Sequence, residues 1–181
     1  MAVAAADGSA AGFCLAASDF SPFNDGCCPR TNLSTSVPAI VNARLMSEDL
    51  DVRIRFSVED QVLSGLQARA SGSGRTAAEP WANRLDRHSL TWVGAFASDR
   101  LVGFVHACWD GGSHAFLLDT AVDPDRPRQG IGRIVVHALV EEVRAAGCEW
   151  LHVDYERHLD SFYRSACGFR RTEAGLIRLT G

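Results

Sequence analysis

The sequence predicts an α/β fold of the α+β kind. It is a central mixed, mostly antiparallel sheet of six to seven strands flanked by about four helices. Three observations point there. Residues 91–122 contain consecutive strand-like runs joined by short turns, which is an antiparallel meander. A long amphipathic run over residues 131–146 follows, and its length suits a crossover helix. An apolar strand then begins near Trp150, as a parallel return to the sheet requires.

Each element has its own signal. Val52, Ile54 and Phe56 alternate with Arg53 and Arg55, a half-buried strand. Ser57 followed by Asp60 reads as a capping signal for a helix over Val58 to Ala70. Residues 71–76 are a Ser/Gly loop, and Ala78 to Arg87 is a short helix. Thr91–Ala97 and Leu101–Trp109 form a hairpin around Ser98-Asp99-Arg100. Asp110-Gly111-Gly112-Ser113 turns the chain into a third strand, Ala115–Val122. Ile131, Ile134, Val135, Ala138, Leu139, Val143 and Ala146 keep helical spacing, and Gly147 stops the helix. Trp150, Leu151 and Val153 mark the next strand. Residues 158–166 read as a short helix, and 169–172 and 176–179 as two terminal strands.

Residues 1–45 differ in composition. Ala, Ser, Gly, Asn and Pro dominate, with punctuation at Pro22, Gly26, Pro29 and Pro38. This segment is expected to be a low-order extension, and residues 46–181 the folded domain. Met46-Ser-Glu-Asp-Leu reads like a protein start, so Met46 is an alternative translation start; a genuine flexible tail is the competing explanation.

Composition excludes several functions. The 181 residues carry a net charge of −4, against a general nucleic-acid or membrane-surface binder. All 18 basic residues are arginine, which removes lysine chemistry. The six cysteines form no C-x-x-C pair and no zinc-finger spacing with histidine, so no metal is expected. No apolar run is long enough to span a bilayer and Met1–Ala6 lacks a basic flank, so the expected location is cytoplasmic.

The most informative stretch lies between the third meander strand and the long helix: Val122-Asp123-Pro124-Asp125-Arg126-Pro127-Arg128-Gln129-Gly130-Ile131-Gly132-Arg133. Glycines at 130 and 132 let a ligand approach the backbone. Free amides at a helix start, with the helix dipole behind them, favour an anion. Arg128 and Arg133 add charge, and a diphosphate is the natural guest. There is neither the third glycine of a Rossmann turn nor the G-K-[ST] of a P-loop.

This strand, turn, Arg-Gln-Gly-Ile-Gly run and helix resemble the acetyl-coenzyme A signature of the GCN5-related N-acetyltransferase (GNAT) superfamily. Phe162-Tyr163 and Cys167-Gly168-Phe169 resemble its second signature, and the order of elements over residues 51–179 is similar. Two positions depart from the family pattern. Its first Gln/Arg falls on Pro127, so Arg126 or Arg128 would have to supply the donor. Gly168 follows Tyr163 at an interval of five, where the family usually has four.

The resemblance implies a sheet splayed between strands four and five, with acetyl-CoA in the gap and no metal. It implies that the backbone of Thr120, Ala121 and Val122 pairs with pantetheine. It further implies that the amides of Arg128, Gln129, Gly130, Ile131, Gly132 and Arg133 hold the pyrophosphate. Tyr163 matches the family's general acid, with Phe162 as the better core residue of the two. The place of a strand-four glutamate found in some members falls on Phe116, so Asp119 becomes the candidate for binding or deprotonating the amine through water. A carboxylate inside an apolar strand is costly unless paired or functional, and the other role open to Asp119 is to lock a strand bulge. Trp109, Asp110, Asp154 and Glu156, with His114, Tyr155 and His158 nearby, are candidates for the acceptor pocket; His152 is expected to make an ordinary hydrogen bond on a strand face.

The implied activity is acetyl transfer to a primary amine of a small molecule (antibiotic, polyamine or amino-acid-like) by direct attack in a ternary complex. A protein N-terminal or lysine acetyltransferase, a silent acyl-CoA-binding regulatory module, and a purely structural subunit are the alternatives. The expected partner is the small amine, with no nucleic acid and no membrane, and a homodimer is compatible with the family.

Overall fold

The structure is a computed structural model, and it describes residues 50–74 and 77–179. The expected extension over residues 1–45 and the Met46 start lie outside the described residues. The described strands are β1 (Leu50–Ile54), β2 (Thr91–Ala97), β3 (Arg100–Trp109), β4 (His114–Val122) and β5 (Trp150–Val153); the α-helices are α1 (Asp60–Ser71), α2 (Trp81–His88) and α3 (Ile131–Ala145). The five strands lie in sequence order in one sheet, antiparallel from β1 to β4 and parallel between β4 and β5.

The β2–β3 turn is two residues, Ser98 and Asp99, both at positive φ (47° and 63°). That backbone matches the twist of a tight hairpin, and a serine–aspartate pair tolerates it with some strain. α1 begins two residues later than its capping signal suggested. Its N-cap is Glu59, without a side-chain cap, because Ser57 stays outside the helix. α3 ends as expected: Gly147 sits at φ 90° and the Cys148 amide reaches back to the Val143 carbonyl at 3.3 Å.

The sheet has an apolar layer on each face. On one, α3 lays Ile131, Val135, Val136, Leu139 and Val143 over Val93, Ala95, Val105, Ala115 and Leu117. On the other, Leu63 and Leu66 of α1 and Trp81 and Leu85 of α2 cover Trp92, Phe96, Phe104 and Ala121. Burial of this kind, at about 25 cal/mol per Å² of apolar surface, drives the fold. Among the described residues no helix is long and apolar enough to cross a membrane.

Two expectations need correction. Residues 169–179 carry no strand, so five strands are described where six to seven were expected. Leu176, Ile177 and Leu179 are 88%, 79% and 89% exposed. The apolar runs there are short and broken by Glu173-Ala174-Gly175, and short runs become strands only when they find an edge to pair with. The helix over 158–166 is instead a 3-10 turn, Arg157–Leu159, followed by a π-helical turn, Ser161–Ala166.

Candidate functional site

β4 and β5 stay paired only from His114–Trp150 to Leu117–Val153. β4 then runs on to Val122 while β5 ends, so the two strands part and leave a wedge. A bulge in β4 begins there. His106 opposes Leu118 and Phe104 opposes Ala121, so Asp119 and Thr120 together face Val105. Asp119 takes φ 53° to make the bulge, a strained conformation for a residue with a side chain. Asp119 and Thr120 consequently point to opposite sides. Asp119 meets His106 and Arg84 on the α2 side, whereas Thr120 meets Tyr163.

Tyr163 closes the wedge. It is 5% exposed and stacks on Tyr155 with ring centroids 4.9 Å apart, while Phe162 and Phe169 meet it edge-on. Its hydroxyl donates to Thr120 Oγ1 at 3.2 Å. Burial raises the phenol pKa above its ordinary value. The π-helical turn sets this placement. The Cys167 amide reaches the Phe162 carbonyl at 3.0 Å, an i→i−5 bond, and the Phe169 amide reaches that of Tyr163 at 3.0 Å. The extra residue that lengthens the Tyr163–Gly168 interval from four to five is absorbed in that wide turn. Tyr163, not Phe162, is the more buried of the pair.

The glycine–arginine turn opens into the same space. A cavity of about 510 Å³ is lined by Thr120, Val122, the run from Arg126 to Arg133, Phe162 and Tyr163. Ala121 is absent from this lining because its side chain is buried with Phe104. Arg128 and Gly130 both take positive φ (59° and 75°), which swings the chain into α3. The first α3 bond is from the Ile134 amide to the Gly130 carbonyl, so the amides of Ile131, Gly132 and Arg133 have no acceptor within the helix. A Cβ on Gly132 would meet Phe162 Cζ at 3.1 Å and Val122 Cγ2 at 3.3 Å, so a side chain there would crowd the cavity wall. Free amides, a helix dipole, two arginines and a bare backbone form a site for a phosphate ester.

Asp123 anchors the turn from behind. Its side chain is fully buried and accepts from Arg100 at 2.6 Å, Arg69 at 3.4 Å and the Asp125 amide at 3.1 Å. Burial alone would push its pKa up, but the Asp125 amide and the Arg100 and Arg69 charges outweigh it and hold the group below the ordinary carboxylate value.

Asp119 is held from the α2 side. Its carboxylate accepts from Arg84, which also stacks over Trp81 at 4.2 Å, and contacts His106 Nε2 at 2.9 Å. Gln67 of α1 donates to its carbonyl at 2.7 Å. Burial pushes this group up as well, yet the His106 hydrogen bond and the Arg84 charge bring it below its ordinary value. Arg84, His106 and Gln67 are residues that motif reasoning missed. The histidine inside the apolar run Val105-His106-Ala107 carried the same signal as Asp119, a polar group where a strand is otherwise apolar.

The expected acceptor residues lie at the end of β3, in the turn before β4 and just after β5. Asp110 Oδ1 accepts from the Gly112 and His114 amides, which fixes the turn before β4. Glu156 pairs with His158 at 3.2 Å and Trp109 is 43% exposed at the end of β3. Asp154 follows the end of β5. His152 contacts His114 Nδ1 at 2.8 Å and stacks on exposed Phe116. No group of three or more His, Cys, Asp or Glu side chains is placed to hold a metal among the described residues.

Comparison with known proteins bears on the whole of this arrangement. A protein of Porphyra purpurea, an uncharacterized N-acetyltransferase (ycf52), is 35% identical over 80 residues, 44% of this chain and 45% of the relative. The chain thus spans less than half the length of that relative. The solved acetyltransferase of Trypanosoma brucei superposes with TM-score 0.58 at 23% identity, covering 73% of this chain and 99% of that one. An aminoglycoside N-acetyltransferase solved in complex with CoA gives TM-score 0.57 at 18% identity, over 80% of this chain and 99% of that one. At these identities the superpositions speak for the fold. The sequence profile described as acetyltransferase (GNAT) family matches residues 62–169, from α1 through the wedge to Phe169, and the chain belongs to that family.

Proposed function

We propose that this protein transfers an acetyl group from acetyl-CoA to the primary amine of a small molecule, in a ternary complex and by direct attack. The observation that carries the reading is the convergence of the α3 N-terminus, the β4–β5 wedge and the Tyr163 hydroxyl on one cavity. The amides of Arg128 to Arg133 would hold the pyrophosphate, and the guanidinium groups of Arg128 and Arg133 would add charge. The β4 edge from Thr120 to Val122, which has no β5 partner, offers its backbone to the pantetheine amides. Acetyl-CoA supplies the activated thioester; the chain's part is to align it with the amine, and much of the rate gain comes from that alignment.

Tyr163 serves as the general acid that protonates the departing thiolate. Its raised pKa keeps the phenol protonated at neutral pH. Asp119, on the other side of β4, binds the acceptor ammonium and receives its proton through water. Oδ2 takes both Arg84 and His106, and Oδ1 has no hydrogen-bond partner among the described residues. The free thiols Cys108, Cys148 and Cys167 support a reducing, cytoplasmic setting.

The test is thiol release from acetyl-CoA against a panel of primary amines: spermidine, kanamycin, amino acids and arylalkylamines, with a lysine-containing peptide as the protein-substrate arm. Turnover with at least one small amine, above hydrolysis, is the expected result. CoA binding without transfer to any member would overturn it in favour of an acyl-CoA-binding module.

A further inference from the structure

One buried titratable group takes no part in that scheme. His106 lies in the middle of β3, 3% exposed, with both ring nitrogens engaged. Nε2 is 2.9 Å from Asp119 Oδ2 and Nδ1 is 2.8 Å from Ser89 Oγ. Phe104 lies beside the ring at 6.1 Å between centroids. A carboxylate only accepts, so Nε2 carries the hydrogen and donates. A neutral ring then accepts at Nδ1, and the Ser89 hydroxyl donates there. One tautomer satisfies the whole chain from Ser89 through His106 to Asp119.

Burying a polar ring in an apolar sheet against a half-buried carboxylate is costly, and a hydrophobic residue at 106 would fill the same space. The contact falls on the one residue of β4 that takes positive φ. A bulge residue can swing its side chain to either side, so something must fix the direction.

We propose that His106 is a positioning residue for Asp119: oriented by Ser89, it pins Oδ2 and so turns Oδ1 toward the incoming amine. The proposal rests on the N-acetyltransferase reading above. The charged and titratable groups facing the pair are Arg84 from α2 and the Cys108 thiol from β3, with Glu79 acting at one remove through its 3.5 Å contact with Arg84; α1 brings the uncharged Gln67 amide. Arg84 supplies charge but hangs on a long side chain that is 39% exposed, whereas the imidazole is held on both sides. Both donors lower the carboxyl pKa, the His106 hydrogen bond foremost and the Arg84 charge next, and the firmly held imidazole in addition fixes the direction of the carboxylate.

The experiment uses the full chain and three variants: His106→Leu, His106→Gln and Ser89→Ala. Carbon-13 NMR follows the Asp119 carboxyl through a pH titration, and kcat/KM is measured across the same range with acetyl-CoA and the best amine of the panel above. His106→Leu is expected to raise the Asp119 midpoint by about one pH unit, since a hydrogen bond to the charged form is lost. The acid limb of kcat/KM should move with it. His106→Gln, which keeps an N–H at about the right reach, should restore most of both shifts. Ser89→Ala should lower kcat/KM severalfold and leave the affinity for CoA unchanged, because only the imidazole's orientation is loosened. An unmoved carboxyl midpoint in both His106 variants would overturn the proposal, and so would a moved midpoint with an unmoved acid limb. If His106→Leu does not fold, Ser89→Ala decides the matter: an unchanged kcat/KM in that variant would overturn the proposal. Absence of turnover by the unaltered protein on every amine would instead defeat the acetyltransferase reading, while the carboxyl titration would still report whether His106 holds Asp119.

Discussion

Two aspartates four positions apart in the chain, Asp119 and Asp123, solve the same electrostatic problem for different ends. Asp123 is fully withdrawn from water and Asp119 partly, and donors lower the pKa of each. Asp123 spends all its acceptors on the turn, so its worth is structural. Its folded pKa lies below the unfolded value of about 3.9, so its stabilisation is present above that pH and is lost as pH falls through the folded pKa. Asp123→Asn should therefore cost about 1–3 kcal/mol in urea unfolding at pH 7. The gap to the unaltered protein should narrow in unfolding at pH 3. Tyr163 makes the opposite case, a buried group whose worth is chemical. Tyr163→Phe keeps the aromatic stack and removes only the hydroxyl, so stability should hold. The rate constant kcat should fall by about 10²-fold, with CoA affinity by calorimetry within about threefold. Sequence alone made both residues visible, since an acid in a strand and a tyrosine at a family position stand out. It did not make their partners visible. Arg69, Arg84 and Arg100 lie 15 or more positions away on three different elements, and nothing local marks a surface arginine as the one that reaches back.

At the scale of elements, the site is built where regular structure fails. The β4 bulge, the positive-φ entry into α3 and the π-helical turn are each a local departure, and each positions one functional group. The regular elements were legible from periodicity to within a few residues: β2, β3 and α3 carry clean patterns over seven to fifteen residues. The departures were legible only as irregular spacing. The interval of five between Tyr163 and Gly168 gave the π turn its trace, and the bulge showed only as Asp119, an acid in an otherwise apolar strand for which locking a bulge was one of two roles. The terminal strands failed for a related reason: two four-residue runs hold too little pattern to specify pairing. The α3 entry yields a sharper expectation. Gly132→Ala should leave the melting temperature nearly unchanged, because a helix gains about 1 kcal/mol from the exchange while Phe162 and Val122 yield by a few tenths of an ångström. CoA affinity should fall by about tenfold, since those two side chains wall the cavity. Gly130→Ala should do the reverse at the level of stability: its φ of 75° costs alanine about 1–2 kcal/mol although nothing obstructs the methyl. Thermal unfolding and CoA calorimetry on the two variants separate strain from crowding.

For the molecule as a whole, the two apolar layers that clamp the sheet are composed of residues between Leu50 and Phe169. The cavity and the Asp119 cluster draw on the same span. Among the described residues, core and site thus lie within one stretch, and burial within it is what offsets chain entropy. We propose on this ground that residues 46–181 are the acetyltransferase domain and that residues 1–45 add neither stability nor affinity. A chain begun at Met46 should unfold within about 4 °C of the full chain, about the shift that 1 kcal/mol produces in a domain of this size, and bind CoA within about twofold. A fall of 10 °C or more would mean that the preface packs on the domain. A loss of acceptor turnover with CoA affinity kept would place the preface over the amine side of the wedge, and mass spectrometry of the native protein would then be expected to find peptides from before Met46. With stability, affinity and turnover all retained, the 45 residues are a dispensable lead into a domain whose chemistry starts at the first strand.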